Sequence, residues 1–124
     1  MEPLKHQVTD DKMNRLLKVI TLLRYTGTDR EFPIQLLQVL IYIASRDGCH
    51  KTALQDKDIG IDITPASASR NTDWLSKDHR LGKRGLDLIE KRTDPTHSRM
   101  RRQTLHLTKK GEYLVQQIKD ILYE

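Results

Sequence analysis

Apolar residues recur at three- and four-residue steps in three separate stretches of this 124-residue chain, and each stretch predicts a helix with one buried face. The first is Met13, Leu16, Leu17, Ile20 and Leu23, interleaved with Lys12, Arg15, Lys18 and Arg24. It predicts an amphipathic helix over residues 9–26, ended by Gly27. The second is Leu36, Leu37, Val39, Leu40, Ile43 and Ala44, whose broader apolar face predicts the most buried helix. Pro33 suits the first turn of that helix, where a missing N–H costs nothing, and Asp47-Gly48 stops it. The third, Leu114, Ile118, Ile121 and Leu122, predicts a closing helix over residues 109–123, capped by Thr108.

Between the second and third stretches the pattern changes. Thr52-Ala53-Leu54-Gln55 has capping-box form and predicts a short helix to about Ile59, closed by Gly60 in the left-handed conformation. After a tight turn at Ile61-Asp62-Ile63, Thr64 as N-cap and Pro65 at the first helical position start another helix, whose Ala68, Thr72 and Leu75 share the core-facing side. Two helices separated by a turn of a few residues form a helix-turn-helix. Residues 76–85 read as a helix extension that frays into a loop. Leu86 and Leu88, then Leu105 and Leu107, alternate with period two as half-buried strands do, and Thr93-Asp94-Pro95-Thr96 between them supplies turn chemistry. The expected fold is therefore mainly α with a small β-wing, a winged helix-turn-helix. One domain is expected over residues 1–124, with its core in 33–108 and the terminal helices packed on each other and on a second copy. That dimerisation surface is expected to use Leu16, Ile20, Leu23, Leu114, Ile118, Ile121 and Leu122.

Charge singles out the same region. The whole chain carries +5, yet from Lys77 to Lys110 eleven Lys/Arg stand against four acids, a local excess of +7. Positive charge gathered in one segment of a near-neutral body is what a polyanion-binding surface requires. A helix that enters the major groove needs short side chains in its N-terminal half and a long donor that reaches base edges or phosphate. Thr64, Ala66, Ser67 and Ser69 meet the first need and Arg70 the second, while Asn71 pointing outward would read adenine with two hydrogen bonds. Asp73 also falls off the core-facing side. In the hairpin, Arg92, Arg99, Arg101 and Arg102 are placed to enter a minor groove or clamp phosphates, for which arginine suits better than lysine. Ordinary capping and solvent exposure account for each serine taken singly; beside the basic hairpin the set points to double-stranded DNA.

Other chemistries find less support. The longest uncharged apolar run, from Ile34 to Ser45, is far short of a membrane span, and the polar N-terminus does not resemble a signal peptide, so a cytoplasmic protein is expected. The lone Cys49 forms no internal disulfide, fits a reducing compartment, and lacks the second Cys or His pair that a metal site beside His50 would need. An inert thiol is the simpler reading of it than a redox switch. His6, His50, His79, His97 and His106 are scattered, and Gly82-Lys83-Arg84-Gly85 lacks the frame of a phosphate loop, so neither catalysis nor a cofactor is expected. The alternative function is that of an adaptor, whose basic face binds an acidic protein.

Several motifs stand in a telling order: a proline-led apolar helix ending in Asp47-Gly48, a helix start near Thr52, then Thr64-Pro65-Ala66-Ser67-Ala68-Ser69-Arg70, Asp94-Pro95, and finally Leu105-x-Leu107-Thr108 with Lys110-Gly111. Over roughly residues 32–122 this resembles the MarR (multiple-antibiotic-resistance regulator) family of winged-helix transcription factors. The Leu-Thr-x-x-Gly ending is the most specific of these features. The resemblance implies a homodimer on pseudo-palindromic duplex DNA, with a recognition helix in each of two major-groove half-sites and the wings alongside; a transcriptional repressor that blocks promoter access is the expected function. Many relatives also take a small-molecule effector, for which nothing in this sequence speaks. The chain departs from the family in three places. Arg99 stands where the family's wing has an Asp, the connector from Leu75 to Leu86 is longer, and the terminal helices are shorter.

Overall fold

The computed structural model describes residues 10–77, 82–93 and 102–124. Along the chain they form α1 (Asp11–Thr26), α2 (Ile34–Ser45), β1 (Cys49–His50), a 3-10 turn (Lys51–Gln55), α3 (Pro65–Leu75), β2 (Ile89–Thr93), β3 (Gln103–Leu107) and α4 (Lys109–Leu122). The protein is thus mainly helical with a small antiparallel sheet, ordered β1-β3-β2, an arrangement compatible with a winged helix. Three helices begin where a side chain satisfies a free N–H: Asp10 accepts from Met13, Thr64 from Ser67 and Thr108 from Gly111. Pro33 sits one place earlier than expected, as the N-cap of α2, with its carbonyl accepting from the Leu37 N–H at 3.0 Å.

Helix α2 contributes Leu36, Val39, Leu40, Tyr42 and Ile43 to the interior, more buried hydrophobic side chains than any other described element. Around it close Val19 and Leu23 of α1, Leu54, Ala68 and Leu75 of α3, Leu105, and Leu114 and Ile118 of α4. The terminal helices pack on one another, and the Arg15 guanidinium donates to the Leu122 carbonyl at 3.1 Å.

Several expectations are corrected. The segment at Thr52 is a 3-10 turn whose N-cap, His50, makes no side-chain capping bond, and it stops at Gln55. The Asp56 carboxylate ends it by accepting from the Asp58 and Ile59 N–H groups at 2.8 and 2.9 Å, a local turn that competes with helix. Those two bonds also hold the Asp56 carboxyl below the usual aspartate range. Gly60 is not left-handed. It is required for close approach, because a Cβ there would lie 2.0 Å from the Ala53 carbonyl oxygen, and the positive φ falls on Asp62 instead. The link between the two helical segments therefore runs over residues 56–64, longer than a tight helix-turn-helix. Helix α3 does not extend past Leu75: Ser76 is extended, and the Leu86 and Leu88 N–H groups bond back to the Trp74 and Leu75 carbonyls at 2.8 and 2.7 Å.

The strand expected from Leu86 begins only at Ile89, because Asp87 takes a left-handed φ of 57° and interrupts the extended chain. Strand β2 then pairs with β3 in the register Ile89 with Leu107, Lys91 with Leu105 and Thr93 with Gln103. The two-residue strand β1, pairing Cys49 with Leu105, has no counterpart in the expected elements. The turn residues Asp94, Pro95 and Thr96, and Arg99 and Arg101, lie outside the described residues.

Candidate nucleic-acid interface

The N-terminal turn of α3 is built from three side chains. Thr64 Oγ1 accepts from the Ser67 N–H at 3.0 Å and its hydroxyl donates to Ser67 Oγ at 3.0 Å, while Arg70 Nη2 donates to the same oxygen at 3.3 Å. Thr64, Ala66 and Arg70 are exposed; Ser67 and Ser69 are half-buried beside them. On the opposite side Ala68, Thr72 and Leu75 are fully buried, as the helical spacing requires. The Thr72 hydroxyl is satisfied by the Ala68 carbonyl at 2.7 Å, which lets a polar residue sit in the core. This leaves a short-side-chained face with one long guanidinium, next to a helix N-terminus whose partial positive charge favours anions.

Asn71 does not point outward. Its amide donates to Gln35 Oε1 of α2 at 2.7 Å and to the Ser67 carbonyl at 2.9 Å, and the residue is buried. With both amide protons used inside the subunit, Asn71 ties α3 to α2 and is not available to an adenine. Arg92 is exposed on β2 and its guanidinium pairs with Glu90, two residues earlier on the same face of the strand. Arg102, just before β3, is half-buried.

Two charged residues not expected in the site join it. Asp73 of α3, which falls off the core-facing side of its helix, is nevertheless buried and forms an ion pair with Lys91 of β2. The pair was hidden because the alternation of Leu86 and Leu88 suggests the wrong strand parity. Once Asp87 breaks the strand, Ile89 and Lys91 share the inward face, while Glu90 and Arg92 turn outward. Gln35 is the other missed partner, a polar residue in the first turn of the apolar helix.

The residues expected to dimerise divide into two groups. Leu23, Leu114 and Ile118 are buried inside the subunit, and Ile121 is half-buried; the packing of α1 against α4 and the shared core use them. Leu16, Ile20 and Leu122 remain exposed, together with Met13 and Leu17 on α1 and Tyr123 after α4. Val19, not assigned in advance, is the second inward residue of α1.

Burial pushes the Cys49 thiol above its usual value, against the opposing effect of a backbone hydrogen bond and of Arg46, so it carries no enhanced reactivity at neutral pH. Among the described residues no group of three or more His, Cys, Asp or Glu is gathered as a metal site would be, and no helix is long and apolar enough to cross a membrane. Compared with protein-family models, with curated proteins and with solved structures, the chain matches none of them.

Proposed function

We propose that this chain is a winged-helix regulator of transcription that binds double-stranded DNA sequence-specifically, as a MarR-like homodimeric repressor on a pseudo-palindromic operator. The observation that carries the reading is the union of α3 with the hairpin: the helix that exposes Thr64, Ala66 and Arg70 is joined by Asp73 to Lys91 at the root of the arginine-rich β2–β3 segment. One helix end and one basic hairpin held against each other make a surface able to grip a single stretch of duplex. The exposed apolar residues of α1, with Leu122 and Tyr123, support a second copy as the partner of the terminal helices.

Selection of bound duplexes from a random pool tests this, since a two-fold symmetric motif would report both specificity and dimerisation. Titration across salt adds a second reading: a dimer neutralising about eight phosphates gives a log–log slope of roughly −7. Arg70→Ala relaxes sequence preference, whereas Arg101→Ala weakens binding to all duplexes alike. An enriched motif without symmetry would remove the dimer from the proposal. Affinity flat across salt, with an acidic protein retained after nuclease treatment, would replace it by the adaptor reading.

A further inference from the structure

We propose that the Asp73–Lys91 ion pair is a positioning brace, which sets the angle between α3 and the β2–β3 hairpin and so determines how well the protein discriminates between duplex sequences. The inference rests on the DNA-binding reading above and names a part of that site. Ala66, Arg70 and Asp73 recur at steps of four and three along α3, so helical geometry puts all three on the outward face. Ala66 and Arg70 are indeed exposed, yet Asp73 is only 7% exposed, and the Lys91 ammonium lies against its carboxylate. Lys91 reaches it from the inward face of β2, where its neighbour two residues back, Ile89, is buried and its cross-strand partner is the buried Leu105.

An aliphatic residue would serve packing at that strand position at least as well. A buried ion pair is seldom worth more to stability than apolar groups of the same volume, and its best-attested use is to fix one relative placement of the elements that carry it. The surrounding charges keep the pairing unambiguous. Glu90, the acid nearest to Lys91 in sequence, is on the other face of β2 and is engaged by Arg92. The pair also answers an electrostatic problem, since a bare carboxylate one turn from Arg70 would repel phosphate and the ammonium cancels it. Neither residue needs to touch a base; both act through the placement of Arg70 and the hairpin.

The test is Asp73→Leu combined with Lys91→Met, which leaves net charge unchanged, so the long-range attraction to phosphate is retained and any altered discrimination is geometric. Affinity is measured for a duplex selected from a random pool and for its scrambled counterpart, over a range of salt. The expected result is a ratio of the two affinities reduced at least about tenfold, with scrambled-duplex affinity and salt slope as in the wild type. A folded double variant with the wild-type ratio would overturn the proposal, and so would a slope shallower by about one, which would mean that Lys91 neutralises a phosphate itself. Asp73→Asn, nearly isosteric, serves if the double variant does not fold. Residual dipolar couplings of the 15N-labelled protein, taken without DNA, then read the angle between α3 and the β2–β3 pair. A changed angle is expected and an unchanged one sinks the brace. Because that arm needs no duplex, a wild-type protein without sequence preference would defeat the functional reading while leaving the brace separately judged.

Discussion

Gly111→Ala asks whether helix propensity or close approach decides at the start of α4. Alanine is favoured over glycine by about 1 kcal/mol inside a helix, so a reading of α4 in isolation makes the substitution stabilising. The packing opposes it. A Cβ at 111 would fall 2.0 Å from the Leu88 carbonyl oxygen and 3.3 Å from a Leu107 methyl. The first of these contacts is with backbone, which cannot rotate aside. An ordinary carbon-to-oxygen approach is about 3.3–3.6 Å, so α4 must retreat by more than about 1 Å. That retreat stretches the bond from the Thr108 N–H to the Leu88 carbonyl, 3.0 Å, and the one from the Thr108 hydroxyl to the Asp87 carbonyl, 2.6 Å. Overpacking of this kind costs about 1–3 kcal/mol and the two weakened hydrogen bonds about 1 kcal/mol each, which leaves a net loss of about 2–4 kcal/mol after the propensity gain. At about 3–6 °C per kcal/mol for a chain of this size, Tm should fall by about 6–24 °C. Urea and thermal melts followed by circular dichroism measure both quantities. A variant that melts at or above the wild type would refute the argument, because it would show that Leu88 yields without loss.

Three further outcomes follow from the described contacts. Gln35→Ala and Asn71→Ala, singly and together, should give a coupling energy of about 1 kcal/mol in a double-mutant cycle, and additive losses would mean that the bond between α2 and α3 contributes nothing of its own. Because burial raises the Cys49 thiol while the unfolded chain keeps an ordinary one, the unfolded state sheds its proton first as pH rises; stability should therefore decline from about pH 8.5 upward. Urea midpoints from neutral to alkaline pH test this, and an equal alkaline decline in Cys49→Ala would assign the effect to another group. Ile20→Glu places a charge on the exposed stripe of α1. If the proposed dimer uses that stripe, the variant should sediment as a folded monomer where the wild type sediments as a dimer, and a sedimentation coefficient equal to that of the wild type would take α1 out of the proposed dimer surface.

Much of the helical plan is legible in the sequence because it is carried by local signals. The apolar periodicity of α2, the Thr64-Pro65 start of α3 and the Thr108 start of α4 each depend on residues within one turn. What failed depends on contacts and backbone turns that the local pattern does not encode. The outward or inward sense of Asn71 is decided by Gln35, thirty-six positions away. Lys91 reads as one more cation of a basic segment until the positive φ of Asp87 shifts the parity of β2 and turns it toward Asp73. Gly60 invites a left-handed reading from its position after a short helix, but the constraint on it is the nearby Ala53 carbonyl. The apolar stripes of α1 and α4 were visible as stripes. Which of their residues join the subunit's own core and which stay exposed could not be, since both uses ask for the same side chains.

The Leu-Thr-x-x-Gly ending has a physical content that links the parts of the candidate site. Thr108 caps α4 through the Gly111 N–H while its own N–H and hydroxyl hold Leu88 and Asp87, and the Lys110 ammonium donates to the Leu86 carbonyl at 3.0 Å. The same residues Leu86 and Leu88 are bonded through their N–H groups to the last turn of α3. The C-terminal end of α3, the entry to β2 and the first turn of α4 therefore meet in one knot of hydrogen bonds centred on the main chain of residues 86–88. Hydrogen bonds hold to a narrow range of length and angle, so a rotation of α4 would pass through the Thr108 N–H and the Leu88 carbonyl to α3 and to the hairpin. In the proposed dimer the terminal helices set the distance between the two copies of α3, and this knot would carry that distance to Arg70. Thr108→Val tests the link, since it removes the hydroxyl that bridges Asp87 and Gly111 while keeping the side-chain volume. Its discrimination between duplexes whose half-sites are spaced differently should weaken in a protein that still dimerises, and retained spacing preference would show that α4 and α3 are set independently.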